Sequence, residues 1–288
     1  MSTHCIVRHV VKILATLLVG GFLGATMVRL SPGFGVDEQE LDTRLSADSI
    51  RALRHAREPE EHILPFYVQY LSGLFKGNLG VSHSLGRPVA ELLAERIPVT
   101  LRSVGTGVLG GWLLALVLAL PSATYRLRAY DLFSTLVSGI FLCLPSAVLA
   151  LLLLFTGGAP GCAIALVLFP KLFRYTRNLL LETYRAPHVL TAQAKGLSRT
   201  RILAWHVLPY VAPQLLALGG VSVSMAFGAA IPVEAICDSP GIGQLAWLAA
   251  LGRDLPVLVN LTLLVTLVTL VAGTASELAG TMSTMQPR

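Results

Sequence analysis

The sequence has little charge: Asp, Glu, Lys and Arg make up 13% of its 288 residues, whereas 54% are hydrophobic. Soluble domains carry about 25% charged residues, because a polar shell must cover their core. The mean hydropathy is +0.69, and apolar runs almost free of charge recur along the chain. This composition excludes an ordinary soluble enzyme and predicts an integral membrane protein.

The sequence also lacks the patterns that carry chemistry. The four cysteines are far apart, without the C-x-x-C spacing of a metal or redox site. No G-x-x-x-x-G-K-[ST] phosphate loop, pair of carboxylates within the apolar runs or histidine set with ligand spacing is present. We therefore expect a non-catalytic chain without a metal or cofactor of its own. Cys162 and Cys237 could face the outside and form a disulfide, or could remain unpaired apolar side chains.

The net charge of +6 does not indicate a nucleic-acid partner, because no basic cluster is interleaved with aromatic residues. Most Lys and Arg residues instead flank the apolar runs. With the N terminus inside, the cytoplasmic segments hold twelve basic and three acidic residues, and the outer segments hold ten and thirteen. By the positive-inside rule, this asymmetry predicts a multi-pass protein of the cell inner (plasma) membrane with both termini in the cytoplasm.

Six apolar windows approach the roughly 20 helical residues that a bilayer core of about 30 Å requires. The first could also be a secretory signal peptide, but its match to a cleavage site at Gly24 is loose, and we favour a retained span. Lys171, Arg174 and Arg177 interrupt the fourth, so we expect its second half to leave the membrane on the cytoplasmic side. The predicted fold is an all-α bundle of about six transmembrane helices, at residues 10–28, 99–119, 132–155, 160–180, 207–231 and 256–277.

Small residues recur at four-residue spacing within these windows. Such stripes let two helices approach closely, so we expect a tightly packed bundle. The stripes are Gly20 and Gly24; Gly107 and Gly111; Gly220, Ser224 and Gly228; and Ala272, Ser276 and Gly280.

Residues 29–98 carry most of the acidic side chains and are predicted to form a small external helical subdomain, with helical patterns at 46–57 and 64–75. In its tail, residues 87–96, one side holds Val89, Leu92, Leu93 and Arg96, as in an interfacial helix that meets the second span at Pro98. Residues 99–288 form the predicted membrane core, which includes a cytoplasmic loop at 181–206.

This loop contains an alanine-rich segment, Thr191-Ala192-Gln193-Ala194-Lys195-Gly196-Leu197-Ser198. Alanine favours a helix and lets a partner surface approach, and Gly196 can adopt the left-handed conformation that ends a helix. A short helix between two spans is well placed to transmit motion, although an ordinary loop helix would have the same pattern.

Several motifs in order resemble the permease subunits of dipeptide/oligopeptide/nickel ABC importers. They cover nearly the whole chain and include the loop just described. The others are Pro65-Phe66-Tyr67-Val68-Gln69-Tyr70-Leu71, Gly77-Asn78-Leu79-Gly80, Gly86-Arg87-Pro88-Val89, Ile97-Pro98-Val99-Thr100-Leu101, Thr176-Arg177, Val233-Glu234 and Ser239-Pro240-Gly241-Ile242-Gly243.

The resemblance implies a type I importer fold and a heteromeric complex. Its other members would be a second permease, two ATPase subunits that bind ATP and Mg, and an extracytoplasmic substrate-binding protein. Residues 191–196 would be the coupling helix that docks on an ATPase and moves the spans between inward-open and outward-open states. The coupling residues implied are His188, Thr191, Ala192, Gln193, Ala194, Lys195, Gly196 and Leu197.

The sequence departs from the family pattern at three places. Leu190 and Gln193 stand where the family usually has basic residues, and His188 where it has an aromatic one, which implies a differently charged ATPase surface. The outer loop before Pro160 is shorter than in the family. Residues 32–35 lack the Gly-Asp-Pro that commonly follows the first span.

Four residues of the fifth window and its end are candidates for the translocation pathway. Ser222, Ser224 and Met225 suit weak and varied peptide contacts, although helix packing would also explain them. Glu234, like Asp238, could contact a cationic amino terminus or a metal, or could accept backbone hydrogen bonds in a re-entrant turn. Dipeptides, longer peptides, glutathione-like compounds and nickel chelates all remain open as cargo. The alternative function is a secondary transporter or channel driven by an ion gradient.

Overall fold

A computed structural model describes residues 77–125 and 127–284, with side chains up to residue 276, together with positions 15, 16, 19–23, 26 and 73. Those positions of the first window that are described are helical. The rest of that window and the helices predicted at 46–57 and 64–75 lie outside the described residues, except position 73, which is helical. In the described part, the one β interaction is an isolated bridge between Val81 and Pro88, and the all-α prediction is confirmed.

The chain divides into two compact units, Met1–Arg96 with Leu245–Leu267, and Ile97–Gln244 with Val268–Arg288. Their described parts consist of helices and short connections. The helices are α1 (Val89–Tyr125), α2 (Arg128–Cys143), α3 (Ser146–Phe155), α4 (Pro160–Thr183), α5 (Pro187–Ala194), α6 (Arg199–Ile202), a π-helical turn (Leu203–Val207), α7 (Leu208–Ile236), α8 (Ile242–Leu251) and α9 (Leu255–Thr284).

Among the described residues, three continuous helical stretches are long and apolar enough to cross a bilayer: Val89–Tyr125, Arg199–Ile236 and Leu255–Ser276. They contain the second and fifth predicted windows and all but the last residue of the sixth. The bent pair α2 and α3 would make a fourth if it counts as one span. α4 is not in this set, because three basic residues lie at or beyond its middle.

Helix α1 is continuous through Pro98, where the sequence predicted a junction between an interfacial helix and a span. A proline inside a helix removes one backbone hydrogen bond and bends the helix, but does not have to end it. The 37 residues of α1 extend about 55 Å at 1.5 Å per residue, well beyond the bilayer core. Its predicted apolar side is confirmed, since Val89, Leu92 and Leu93 are buried.

The third window, 132–155, is not one straight helix as predicted. It breaks at Leu144 and Pro145 into α2 and α3, whose axes differ by 98°. The residue before a proline disfavours the helical conformation, and Leu144 is extended, with φ −83° and ψ 125°. With ten residues, α3 is about 15 Å long and cannot cross a bilayer by itself.

Helices pack closely where the predicted small residues meet. A side chain at Gly107 or Gly111 of α1 would collide with or press against Ile164 and Leu168 of α4. A side chain at Gly220 of α7 would collide with Ser276 of α9. The stripe prediction is confirmed at these glycines, but not at Gly228, which has no neighbour within 4 Å.

One ion pair joins three helix segments in the second unit. The Arg177 guanidinium donates to both oxygens of Asp131, from Nε to Oδ1 at 2.7 Å and from Nη2 to Oδ2 at 2.6 Å. Ser122, near the end of α1, donates to Asp131 Oδ1 at 2.5 Å. Because this bidentate pair is partly buried, it fixes the start of α2 against α4 more firmly than an exposed pair would.

In the first unit, residues 77–88 form a tight hairpin before α1. Its backbone bonds run from Ser82 N to Arg87 O (2.9 Å) and from Val89 N to Gly80 O (3.0 Å). Gly80 and Gly86 have backbone φ angles of 78° and 65°, which residues that carry a side chain rarely adopt.

Asp254, which is fully buried, connects this hairpin to the start of α9. Its Oδ2 accepts from Ser82 Oγ (2.5 Å), Ser84 N (3.0 Å) and Ser84 Oγ (2.7 Å). Its Oδ1 accepts from Val257 N, the third residue of α9, at 3.3 Å, as an N-cap does. Burial by itself would raise the pKa of Asp254, but the hydrogen bonds from Ser82, Ser84 and Val257 hold that pKa below its ordinary value of 3.8.

We predict that Asp254→Ala lowers the free energy of unfolding by about 2 kcal/mol, because the serine donors and the helix end lose their acceptor. Since the folded pKa is depressed, the carboxylate's contribution is complete above the unfolded pKa of about 3.9 and is lost as the pH falls through the folded pKa. Thermal unfolding in detergent should therefore separate Asp254→Asn from the unchanged protein at pH 7, and the difference should begin to shrink below a pH of about 4 and vanish only below the folded pKa.

The matched control is Glu91→Gln, which removes a carboxylate whose side chain is 60% exposed. It should unfold at the same temperature as the unchanged protein. An equal shift in both variants would contradict the role assigned to Asp254.

Candidate functional site

The predicted coupling segment folds as the helix α5, which begins and ends with recognisable signals. Pro187 occupies its first turn, where a missing amide costs no hydrogen bond. At its end, Gly196 has a φ of 73°. Leu197 N donates to Ala192 O (3.4 Å) and Gly196 N donates to Gln193 O (2.9 Å), the pair of bonds that defines a Schellman cap.

The two faces of α5 differ in exposure. Val189 and Ala192 are buried among the core residues of the second unit. Leu197, just beyond the cap, is half-buried. The remaining predicted coupling residues lie on the exposed side, and these are His188, Thr191, Gln193, Ala194, Lys195 and Gly196.

Aromatic side chains adjoin this exposed side and were not identified from the sequence. The His188 ring lies 5.0 Å from the Tyr210 ring, and His188 Nε2 is 3.3 Å from His206 O, to which it donates when it carries the proton. Trp205 is 75% exposed and Tyr210 54%. Trp205 lies in the predicted cytoplasmic loop and Tyr210 four residues after it, and large apolar side chains at such a place were the available signal for an interaction surface.

The segment is continuous with a spanning helix. After the Gly196 turn, α6 passes into the π-helical turn Leu203–Val207 and then into α7 without an intervening loop. A π-helical turn holds an extra residue and occurs mainly at functional sites. A displacement of α5 therefore has a short, helical route to α7.

The pathway candidates on α7 occupy different environments. Ser222 is buried, accepts from Trp112 Nε1 of α1 (3.1 Å) and donates to Gly219 O (2.6 Å). In this structure its hydroxyl therefore serves the packing of α7 against α1. Ser224 and Met225 are half-buried. A place in the pathway stays a prediction for all three.

Glu234, the fourth pathway candidate, holds the corner between α7 and α8. It is fully buried, and its Oε2 accepts from Gly243 N (2.8 Å) and from Thr100 Oγ1 of α1 (2.9 Å). Thr100 Oγ1 in turn accepts from Ile242 N at 2.7 Å. The predicted acceptance of backbone hydrogen bonds in this turn is thus confirmed, whereas a pathway role of Glu234 stays a prediction.

The turn between α7 and α8 is closely packed. A side chain at Gly241 would collide with the Glu234 carboxylate and with Thr100. Asp238 has a φ of 49° and accepts from Gln244 Nε2 at 2.5 Å.

Cys162 and Cys237 are both free thiols.

We predict that Glu234→Ala lowers the free energy of unfolding by about 2 kcal/mol, because the Gly243 amide and the Thr100 hydroxyl are left buried without an acceptor. Glu234→Gln keeps a carbonyl oxygen and should cost less. The measurement is thermal unfolding in detergent, with Asp238→Asn at an exposed carboxylate as the control. A Glu234→Ala protein of unchanged stability that has lost transport would contradict the corner role and favour a pathway role.

The chain is similar to known proteins over most of its length. Residues 107–283 match the family described as binding-protein-dependent transport system inner membrane component. The oligopeptide transport system permease protein OppB of Escherichia coli strain K12 is 29% identical, over 90% of this chain and 91% of that protein.

Two further relatives match this chain over a similar share of its length. A putative peptide transport system permease protein of Brucella melitensis is 27% identical over 89% of this chain and 90% of its own length. The dipeptide transport system permease protein DppB of Lactococcus lactis is 24% identical over 92% and 94%. The chain therefore belongs to the family of binding-protein-dependent transport system inner membrane components, and it is a translocation-pathway subunit of an ABC importer.

Proposed function

We propose that this chain pairs with a second permease subunit to form the pathway by which an ATP-driven importer carries peptides or a related small solute. ATP and Mg would be bound by two separate ATPase subunits, and an extracytoplasmic binding protein would deliver the cargo. The relatives named for dipeptide, oligopeptide and peptide transport support the peptide class for this chain. Nickel chelates and glutathione-like compounds, which are also small polar solutes, are the alternative cargo.

The exposed side of α5 is the observation that carries this proposal. A helix with two buried residues and six exposed ones is held by its neighbours on one side and open to a partner on the other. Thr191, Gln193 and Ala194 are small or uncharged, so a partner surface can approach the backbone without desolvating a charge. We assign this side to the ATPase contact.

Motion would pass from α5 to α7 through the π-helical turn. When two ATPase subunits close around ATP, the α5 segments of the two permeases are drawn together, and each α7 follows because it is continuous with the loop. The charge of this surface comes from Lys195, Arg199 and Arg201, all exposed. An ATPase with acidic side chains at its docking cleft would complement it.

We further propose that both termini lie in the cytoplasm and that residues 29–98 lie outside the cell membrane. The distribution of Lys and Arg supports this orientation. A transporter driven by an ion gradient is the rival function. It would carry cargo without ATP, whereas family membership favours the ATP-driven importer.

We predict that Gly196→Val uncouples ATP hydrolysis from uptake. The residue has a φ of 73° and open space around it, so valine causes backbone strain rather than a clash, at about 1–2 kcal/mol. The Schellman cap should open, and uptake per ATP hydrolysed should fall about tenfold. Uptake and phosphate release are measured in vesicles that contain the complete transporter.

Two variants serve as controls for this prediction. Gly196→Asn should keep most of the coupling, because asparagine tolerates the left-handed conformation. Gly157→Val has the same backbone problem, with a φ of 69° and nothing nearby, but lies in the connection between α3 and α4 and should leave coupling unchanged. Normal uptake per ATP in Gly196→Val would refute the coupling role of α5.

A further inference from the structure

Two basic residues, Lys171 and Arg174, lie on an exposed side of α4 near its middle. With Asn178, they follow the i, i+3, i+7 spacing of one helix face. Lys171 is the twelfth of the 24 residues of α4. At 1.5 Å per residue, it stands about 17 Å from the start of the helix. This distance places it near the middle of a bilayer core, deeper than the cytoplasmic position that the sequence predicted.

Contacts with α2 support this depth. Ser138 Oγ of α2 donates to Pro170 O at 3.4 Å, so Lys171 lies level with Ser138. Ser138 is ten residues from Arg128, the polar start of α2, which corresponds to about 15 Å. Apart from Thr135, the nearby exposed side chains of α2 are apolar, and Leu136 and Ile140 are 57% and 62% exposed.

Contacts with α1 give the same depth. A side chain at Gly111 would meet Leu168 of α4, and both helices run in the same direction, since Thr124 near the end of α1 contacts Tyr184 at 3.2 Å. One turn beyond Leu168, Lys171 is level with Leu113 and Val117, which are 64% and 57% exposed. These residues mark the hydrocarbon level of the bilayer.

The Arg174 side chain does not reach toward the nearer polar end of the bundle. Its Nη2 lies 3.9 Å from the Cβ position of Gly139 on α2, one residue farther from Arg128 than Ser138. Among the described residues, Arg177 is paired with Asp131, whereas no acidic group lies within ion-pair distance of Lys171 or Arg174. Lipid cannot solvate two such cations, and charges at this depth face water, cargo or protein.

We propose that Lys171 and Arg174 line the translocation pathway and bind an anionic group of the cargo, the carboxylate that every peptide carries at its C terminus. The proposal rests on the proposed function as a peptide importer. A guanidinium fork and an ammonium suit a carboxylate, and a contact with a group common to all peptides leaves side-chain variety unrestricted.

The first test measures whether water reaches position 171. Lys171→Cys and Leu113→Cys are made in a chain whose four native cysteines are replaced by alanine, in the complete transporter. They are exposed to anionic and cationic methanethiosulfonates of similar size. We expect Lys171→Cys to react about tenfold faster than Leu113→Cys, the control at the hydrocarbon level. Lys171→Cys should react faster with the anionic reagent because Arg174 attracts it, and this preference should disappear in the double variant with Arg174→Gln.

The second test is made in a transporter that retains its native cysteines. It compares ATP-dependent uptake of tri-alanine with that of its C-terminal amide. Lys171→Gln and Arg174→Gln should each lower the ratio of carboxylate to amide uptake about tenfold, the effect of one charge-assisted hydrogen bond. Lys171→Arg should retain the ratio. Arg128→Gln, at the exposed start of α2, is the control for loss of one positive charge and should also retain it.

The outcomes separate the inference from the proposed function. No ATP-dependent uptake of either probe by the unchanged transporter would refute the proposed function, and the cysteine reaction would then decide the inference. An unreactive Lys171→Cys, or an unchanged uptake ratio in both glutamine variants, would overturn the inference alone. Loss of the second permease on purification of Lys171→Gln would also overturn it, and would assign the cation to an ion pair between subunits.

Discussion

A backbone amide that leaves a helix within hydrocarbon has no water to bond with, and an unpaired polar group there costs several kcal/mol. Two carboxylates, Glu234 and Asp254, accept backbone amides where helices begin or end, and a third, Asp131, pairs there with the Arg177 side chain. Asp131 lies in the first turn of α2, Glu234 in the last turn of α7, and Asp254 just before α9. Each also bonds to a hydroxyl of another segment, Ser122, Thr100 or Ser82. The breaks between helices are therefore the points at which distant parts of the chain are joined.

Within the helices, the same constraint is met locally. The hydroxyls of Thr183, Thr191, Thr262 and Thr274 bond to the carbonyl four residues earlier, at 2.7–3.0 Å. Because these hydroxyls bond within their own helix, they need no partner on a neighbouring helix. Small residues can then form the contacts between helices, as at Gly107 and Gly220. Close packing and polar satisfaction therefore do not compete for the same positions.

Much of the fold followed from apolar windows and local signals. The sixth window begins one residue after α9 does, and the helix cap at Gly196 was predicted from its residue type. The break at Leu144 did not follow from hydropathy, because an apolar window has the same mean hydropathy whether its helix is straight or interrupted before a proline. Helix α8, with ten residues, was too short for a spanning window.

The side-chain contacts also differ in how far the sequence could predict them. The bond between Glu234 and Gly243 spans nine residues and was among the predicted alternatives. The bonds of Asp254 to Ser82 and Ser84 span 172 and 170 residues, and the pair Asp131 with Arg177 spans 46. A single sequence does not tell which distant groups meet, since that depends on how the helices pack.

The helical path from Arg199 to Ile236 contains 38 residues and is long compared with the short helix that precedes it. Trp205 and Ile236 are about 46 Å apart along this axis, at 1.5 Å per residue. Geometrically, it is a lever: a tilt of about 5° around one end shifts the other by about 4 Å, close to the diameter of a methyl group. A small angular change near Trp205 thus becomes a displacement on the scale of a side chain at the buried Glu234 corner.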